Sequence, residues 1–306
     1  MVHPLTPLLR RLLGVRTLSP ALVLDRGDGP GGVVAQLGIP GVALGTVVSL
    51  SLTPEQMLAD QHLALQRMVE LTGLVPEARA IGLGSLCAVV AGRGEELARR
   101  IDRPVTTGGA ATAWAVHDNV RRLLAARGLR RGPVAIVGSS GPVGRALAVL
   151  LSGDGVDVVV DHARGGRGLP VRVAAGPDEA AAGCPVVIGA GPTGGSVSAE
   201  VLAAGTVVVD VAIPGTVRGV VPPDVQVLLG EAVVPPPTWS RRLWGRLYHL
   251  FSGYGPRQVF ACAIEPLVMV ASGRTAPFAL GRHLDVDDVR RFGRQAAALG
   301  FRPRLA

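Results

Sequence analysis

An α/β fold is predicted from three features of this sequence. The apolar run Val134-Ala135-Ile136-Val137 leads into Gly138-Ser139-Ser140-Gly141-Pro142-Val143-Gly144 and then into Arg145 to Leu151, the order strand, glycine turn, helix. Short valine-rich runs recur downstream at 156–160, 185–189, 207–211 and 225–228, separated by Gly/Pro-rich loops or short Ala-rich helices. Upstream, residues 31–127 alternate strand-like and helix-like segments of their own. These features read as a Rossmann-type doubly wound parallel sheet with a second α/β substrate domain. The predicted division is 1–127 for an N-terminal substrate domain with a linking helix, 128–237 for an NAD(P)-binding domain, and 238–306 for C-terminal helices that complete the substrate domain.

Composition narrows the chemistry. The 306 residues carry a net charge of +8, and all 31 basic residues are arginine, with no lysine anywhere. A Schiff-base lysine, a Walker-type phosphate lysine, a Tyr-x-x-x-Lys pair and a lysine acid/base are therefore excluded. Arginine favours bidentate contact with phosphate or carboxylate, which points to anionic partners such as a phosphorylated cofactor or an acidic carrier protein. Nucleic acid is not expected, because the 3 Trp, 2 Tyr and 5 Phe are not interleaved with the arginines. The 3 cysteines form neither a zinc pattern nor a disulfide framework, so no metal is expected and a cytoplasmic location is. The stretch from His3 to Leu18 is broken by Pro4, Pro7, Arg10 and Arg11, so no secretory signal is read, and the apolar runs are too short to span a membrane. Leu8 to Leu13 allows at most a peripheral lipid contact; oligomeric state stays open.

In chain order, Val33 to Leu37 and Val42 to Leu44 flank Gly38-Ile39-Pro40-Gly41 as strands around a turn. Thr53 is the predicted N-cap of a helix that starts at Pro54 and runs to about Leu71, with Leu58, His62, Leu65 and Val69 along one side. Ala80 to Val90 reads as a buried strand or turn with Cys87 as a core residue. Thr106-Thr107-Gly108 opens a long helix from about Ala110 to Arg127, and these threonines either cap it or reach a ligand.

The glycine turn is the predicted cofactor site. Gly138 makes the tight turn, Gly141 lets backbone approach a diphosphate, and Gly144 lets helix pack closely on strand, with Ser139, Ser140, Pro142 and Val143 completing the loop. Asp161 stands 23 residues after Gly138, where an acid binds a ribose hydroxyl, but Arg164 and Arg167 beside it favour a 2′-phosphate. NADPH is the expected cofactor, with NADH as the other possibility. Ala190 and Ala212 follow strands and are expected to line the nicotinamide crevice. Beyond Pro235-Pro236-Pro237, the aromatics Trp239, Trp244, Tyr248, Phe251 and Tyr254 form a candidate lid or interdomain contact. An apolar helix is expected from Arg257 to about Ala271, and a last helix from Leu284 to Leu299.

Ala80-Ile81-Gly82, Thr106-Thr107-Gly108, Val134 to Gly144, Val208-Val209-Asp210, Gly230 to Val234, Arg257-Gln258-Val259-Phe260-Ala261-Cys262 with Glu265, and Gly281-Arg282 occur in one collinear order. In this order the chain resembles the long-chain acyl-[acyl-carrier-protein] reductases, aldehyde-forming enzymes built like shikimate dehydrogenases. The resemblance implies an oxidoreductase that reduces an acyl thioester of acyl carrier protein or coenzyme A to a fatty aldehyde with NADPH. It carries the nucleophile onto Cys262, which takes the acyl group. Glu265, one helical turn on, is a candidate proton relay, and Thr106, Thr107, Arg257 and Gln258 are candidate substrate-binding residues. The chain departs from that family at Gly109 and Ala111, where the family has Asn and His, and keeps Thr112. Two other readings accompany this one: a dehydrogenase of a small hydroxy or keto compound without covalent catalysis, and a nucleotide-binding partner protein without turnover.

Overall fold

The computed structural model describes residues 31–129, 131–192, 194–212, 215–242 and 258–305. The chain forms two compact units, one of residues 1–108, 235–259 and 263–281, the other of 109–234, 260–262 and 282–306. The N-terminal lipid-contact segment, the aromatics Trp244, Tyr248, Phe251 and Tyr254, and Arg257 lie outside the described residues.

The first unit opens with a hairpin. Strands β1 (Gly31–Ile39) and β2 (Ala43–Leu50) pair antiparallel about the Pro40-Gly41 turn, with Gly38 opposite Leu44. Thr53 then caps α1 (Pro54–Ala59) through a full capping box: its Oγ1 accepts from the Gln56 amide at 3.2 Å and Gln56 Oε1 accepts from the Thr53 amide at 2.8 Å. The single helix expected from Pro54 to Leu71 is broken. Asp60 leaves the helical region at φ −133°, ψ 86° and caps α2 (Gln61–Thr72) by accepting from the Leu63 amide at 2.8 Å. An aspartate offers the backbone this local alternative to a helical bond. The break shifts the buried face to Ala64, Leu65, Met68 and Leu71 and leaves Leu58 and His62 exposed.

The segment Ala80 to Val90, expected as a buried strand or turn, holds both: β3 (Ile81–Gly82), then a 3₁₀ turn at Ser85–Ala88. A short helix α3 (Glu95–Ala98) follows, and β4 (Val105–Thr106) pairs parallel to β3. Gly82 is required by space: a Cβ there would lie 2.5 Å from the Pro266 ring.

The second unit is a layered α/β body. Its long helix α4 (Gly109–Ala126), expected as a linker, lies wholly within this unit. Strand β5 (Val134–Val137) leads through the glycine turn to α5 (Pro142–Gly153), then β6 (Val158–Val160), α6 (Ala163–Gly166), β7 (Arg172–Val173), α7 (Pro177–Ala181) and β8 (Val186–Gly189). After β9 (Val197–Ser198) come β10 (Val207–Asp210), β11 (Val217–Arg218), β12 (Gln226–Leu229) and β13 (Ala232–Val234). A six-stranded sheet runs β12-β10-β8-β5-β6-β7, and its strands are parallel.

Period-two alternation accounts for its two covered faces. Val134, Ile136, Val158, Val160, Ile188 and Val209 pack under α4 and α5 against Val116, Val120, Leu124, Leu147 and Leu151. The alternate residues Ala135, Val137, Val159, Val187 and Val208 pack on the other face against Ala180, Ala181, Val197 and Leu202. Burial of this kind stabilises at about 25 cal/mol per Å² of apolar surface, which is why near-continuous valine strands form here. The short edge strand β7 has both residues exposed and lacked that signal.

In the first unit β14 (Ser240–Arg242) pairs with β1. Strand β15 (Val259–Phe260) precedes α8 (Ala261–Ala271), and α9 (Val286–Ala298) is capped by Asp285, whose carboxylate accepts from the Asp287 amide at 2.8 Å. Helix α9 packs on α4 through Trp114 and Phe292, whose rings meet edge to face at 5.6 Å. Gly293 sits under the Trp114 ring, where a Cβ would lie 2.5 Å away. The closing strand β16 (Arg302–Pro303) pairs antiparallel with β13. No helix among the described residues is long and apolar enough to cross a membrane.

Candidate functional site

The carboxyl ends of the parallel strands carry most of the residues singled out by sequence. At the end of β5, Gly138 adopts φ +86°, and a Cβ on it would lie 2.4 Å from the Gly191 amide nitrogen. Only glycine tolerates both demands. A Cβ on Gly144 would lie 2.4 Å from the Gly138 carbonyl oxygen, so this glycine sets the close approach of helix to strand. Gly141 precedes Pro142 at the first helical position and meets nothing closer than 3.4 Å.

Asp161, at the end of β6, turns into this loop. Its carboxylate accepts from the Gly138 amide at 2.7 Å, the Ser139 amide at 3.0 Å and the Ser139 hydroxyl at 2.5 Å. Two loop amides are thereby occupied, while those of Ser140, Val143 and Gly144 have no partner among the described residues. Arg164 is exposed on α6, where its amide donates to His162 Nδ1 at 3.0 Å. Arg145 instead ties α5 to α6 and the residue after it, donating to the carbonyls of Gly165 and Arg167, each at 2.7 Å.

Ala190 follows β8, and its amide donates to the Val137 carbonyl at 2.8 Å. Ala212 follows β10 and donates to the buried Asp210 carboxylate at 2.9 Å. Asp210 also accepts from the Thr216 amide and hydroxyl at 2.7 and 2.8 Å, so it shapes this loop from inside.

A second cluster gathers at the end of β12. Glu231 is buried, and three donors converge on its carboxylate: the Thr112 hydroxyl at 2.9 Å, the Cys262 amide and the Cys262 thiol. Burial pushes the Glu231 carboxyl up to about 7, and the three hydrogen bonds offset part of that rise. A carboxyl held in the neutral range beside a thiol can accept the thiol proton near physiological pH.

The other two cysteines differ. Burial pushes the Cys87 thiol up to about 12 and the Cys184 thiol upward as well. Both sit in apolar clusters as packing residues. Glu231 was not read from the sequence as a site residue; the available signal was an acid two residues past the end of a parallel strand.

Glu265 lies one turn beyond Cys262 on α8 and is fully buried in the first unit. It hydrogen-bonds Thr106, whose hydroxyl also lies 3.1 Å from the Ala279 carbonyl. The Thr106 hydroxyl donates to the Glu265 carboxylate, which ties β4 to α8 inside the first unit. The Thr107 amide donates to the same carbonyl at 2.9 Å. Gln258 is half-buried just before β15. No group of three or more metal-ligating side chains occurs among the described residues.

No model of a known protein family matches the chain. Among curated proteins, the chain is similar to Aminotransferase PigE of Serratia sp. (strain ATCC 39006), 28% identical over 277 residues. That alignment covers 84% of this chain and 32% of the relative, so the chain spans about a third of the relative's length. The relative is an enzyme by name.

This comparison corrects the resemblance drawn from sequence blocks. The acyl-[acyl-carrier-protein] reductase family, NADPH-dependent reduction of a thioester to a fatty aldehyde, the direct hydride-transfer dehydrogenase, the non-catalytic nucleotide-binding protein, and NADPH or NADH as cofactor all give way to a relative named for amine transfer. The physical reason is that the shared blocks are mostly glycine turns and apolar strands. Such blocks report a fold, and one fold hosts many chemistries.

Proposed function

We propose that this chain is an enzyme that takes an acyl or carbonyl carbon onto the Cys262 sulfur, with Glu231 as the proton acceptor and Thr112 holding the Glu231 carboxyl. The observation that carries this reading is the convergence of the Cys262 thiol and the Thr112 hydroxyl on one buried carboxylate. With a thioester donor, the thiol proton passes to Glu231 as sulfur bonds to the carbonyl carbon. The donor carbon–sulfur bond then breaks, and the departing thiol takes that proton back. Atoms and electrons balance without an oxidant or reductant.

The scaffold under this reading is a Rossmann-type sheet. The order β7-β6-β5-β8-β10-β12 supports it, being 3-2-1-4-5-6 counted from β5. Its topological switch point lies between β5 and β8, at the Gly138–Gly144 turn and Ala190. In this proposal Ser140, Val143 and Gly144 offer amides to a phosphate oxygen of the ligand, and Gly138, Ser139, Gly141 and Pro142 shape the loop. An acyl-carrier or coenzyme A thioester suits both the thiol and the excess of arginine.

Amine transfer through pyridoxal phosphate is a different matter. That cofactor is held as a Schiff base on lysine, and none of the 306 residues is lysine. These residues do not fit the cofactor, and no step is assigned to it.

The test is intact-mass analysis after incubation with acyl-coenzyme A and acyl-carrier thioesters of several lengths. An acyl adduct in the wild type, mapped to Cys262 and missing in Cys262→Ala, is the expected result. Absence of any adduct while Cys262 still alkylates with iodoacetamide overturns the reading.

A further inference from the structure

One face of helix α4 grips the segment that carries Glu231. Thr112, Val116 and Asn119 fall at i, i+4 and i+7, on one side of the helix. Thr112 meets the Glu231 side chain, as described above. Val116 packs beneath Gly230, where a Cβ would come within 3.4 Å of Val116 Cγ2. Asn119 is 1% exposed, and its Nδ2 donates to the carbonyls of Gly230 at 2.9 Å and Ala232 at 3.5 Å, the residues on either side of Glu231. The Glu231 carbonyl accepts from the Ala261 amide at 3.1 Å, one residue before Cys262.

We infer that Asn119 is the positioning residue of the thiol site, fixing the backbone on both sides of Glu231 so that its carboxylate meets the Cys262 thiol. This inference rests on the proposed role of Glu231 as proton acceptor. Between β12 and β13 the Gly230 amide donates to the Asp210 carbonyl at 2.9 Å, and Asn119 adds a side-chain donor to each carbonyl flanking Glu231, which fixes the direction of its carboxylate toward the Cys262 thiol. An amide with two N–H donors can bind both flanking carbonyls at once, and a hydroxyl or carboxylate of similar size cannot. The groups facing the Glu231 carboxyl are the Thr112 hydroxyl and the Cys262 amide and thiol; no charged side chain among the described residues shifts it.

The experiment is the rate of Cys262 alkylation by iodoacetamide, followed by peptide mass spectrometry from pH 5.5 to 9.5. It compares wild type, Glu231→Gln and Asn119→Leu, with melting curves alongside. An unfolded chain would alkylate through the ordinary thiol range, so the profiles are compared only at pH values where the melting curves show each variant folded. Asn119→Ala replaces Asn119→Leu should the larger side chain not fold.

The wild-type profile is expected to rise through the neutral range, and Glu231→Gln to rise only through the ordinary thiol range near about 8.5. Asn119→Leu is expected to follow Glu231→Gln, with a rate at pH 7 about tenfold below wild type. A Glu231→Gln shift with an unshifted Asn119→Leu profile overturns the positioning role and leaves the Glu231 reading intact. Identical profiles for wild type and Glu231→Gln overturn both.

Discussion

The glycine turn and the Glu231 cluster both lie at the carboxyl edge of one parallel sheet, yet they handle an acid in opposite ways. In the turn, Asp161 is half-buried and accepts from two amides and a hydroxyl, so its charge is met by donors that the loop must expose anyway. At the end of β12, Glu231 is buried with donors that include a thiol, and burial outweighs them and raises its carboxyl to about 7. The first arrangement builds a rigid loop. The second raises the acid into the neutral range. The lesson is that position at a strand end does not assign a role to an acid; its donors and its burial do.

The comparison breaks first at the turn. Gly138→Val places a branched side chain at φ +86° with its Cβ 2.4 Å from backbone, and a loss of about 4 kcal/mol in unfolding free energy is expected by denaturant titration. A loss under about 1 kcal/mol would mean that the loop relaxes and is not held as described.

Glu231 sharpens the other side. The folded protein keeps this carboxyl protonated to about pH 7, while the unfolded chain releases the proton near 4.5. Between those values the folded state binds more protons, so its stability falls as pH rises from 4.5 to 7 and then levels. Melting curves across this range should show a wild-type decline of up to about 3 kcal/mol that flattens in Glu231→Gln. Equal slopes would contradict the burial of an ionisable Glu231.

Asp161→Asn exchanges the charged acceptor for a neutral one and leaves one of three donors without an oxygen. A loss of about 1 to 2 kcal/mol in unfolding free energy is expected by denaturant titration at pH 7. The smallest effect belongs away from both regions. Arg290→Ala removes an exposed pair with Asp287 at 3.0 Å on α9, and its melting temperature should match wild type within about 0.5 kcal/mol of stability. A larger loss there would indicate that this exposed pair carries stability of its own.

Much of the second unit was legible because its signals are local. Valine runs, a Gly-x-x-Gly-x-x-Gly turn with an apolar strand before it, and Asp285 ahead of an Ala- and Arg-rich helix each encode an element within a dozen residues. Boundaries moved by one to three residues: β6 starts at Val158 where 156 was expected, and α9 at Val286 where Leu284 was. Asp60 was not read as a break, because an aspartate inside an apolar period looks like solvent-facing polarity until its side chain is seen on the Leu63 amide. Glu231 and Asn119 were missed for a different reason. Their partners, at 112, 230, 232 and 262, are up to 119 residues away in sequence, and no periodicity records such contacts.

By itself, then, the sequence determined a parallel α/β body, the sharp glycine turn at Gly138, the Thr53 N-cap and the exclusion of every lysine-dependent mechanism. Those follow from backbone sterics, hydrophobic period and residue inventory, which act over a few positions or over composition alone. Only the tertiary structure decided which acid is buried, which of the three cysteines meets it, and what holds the two together. Desolvation and hydrogen bonding between distant segments exist only once the sheet has brought their ends to one edge.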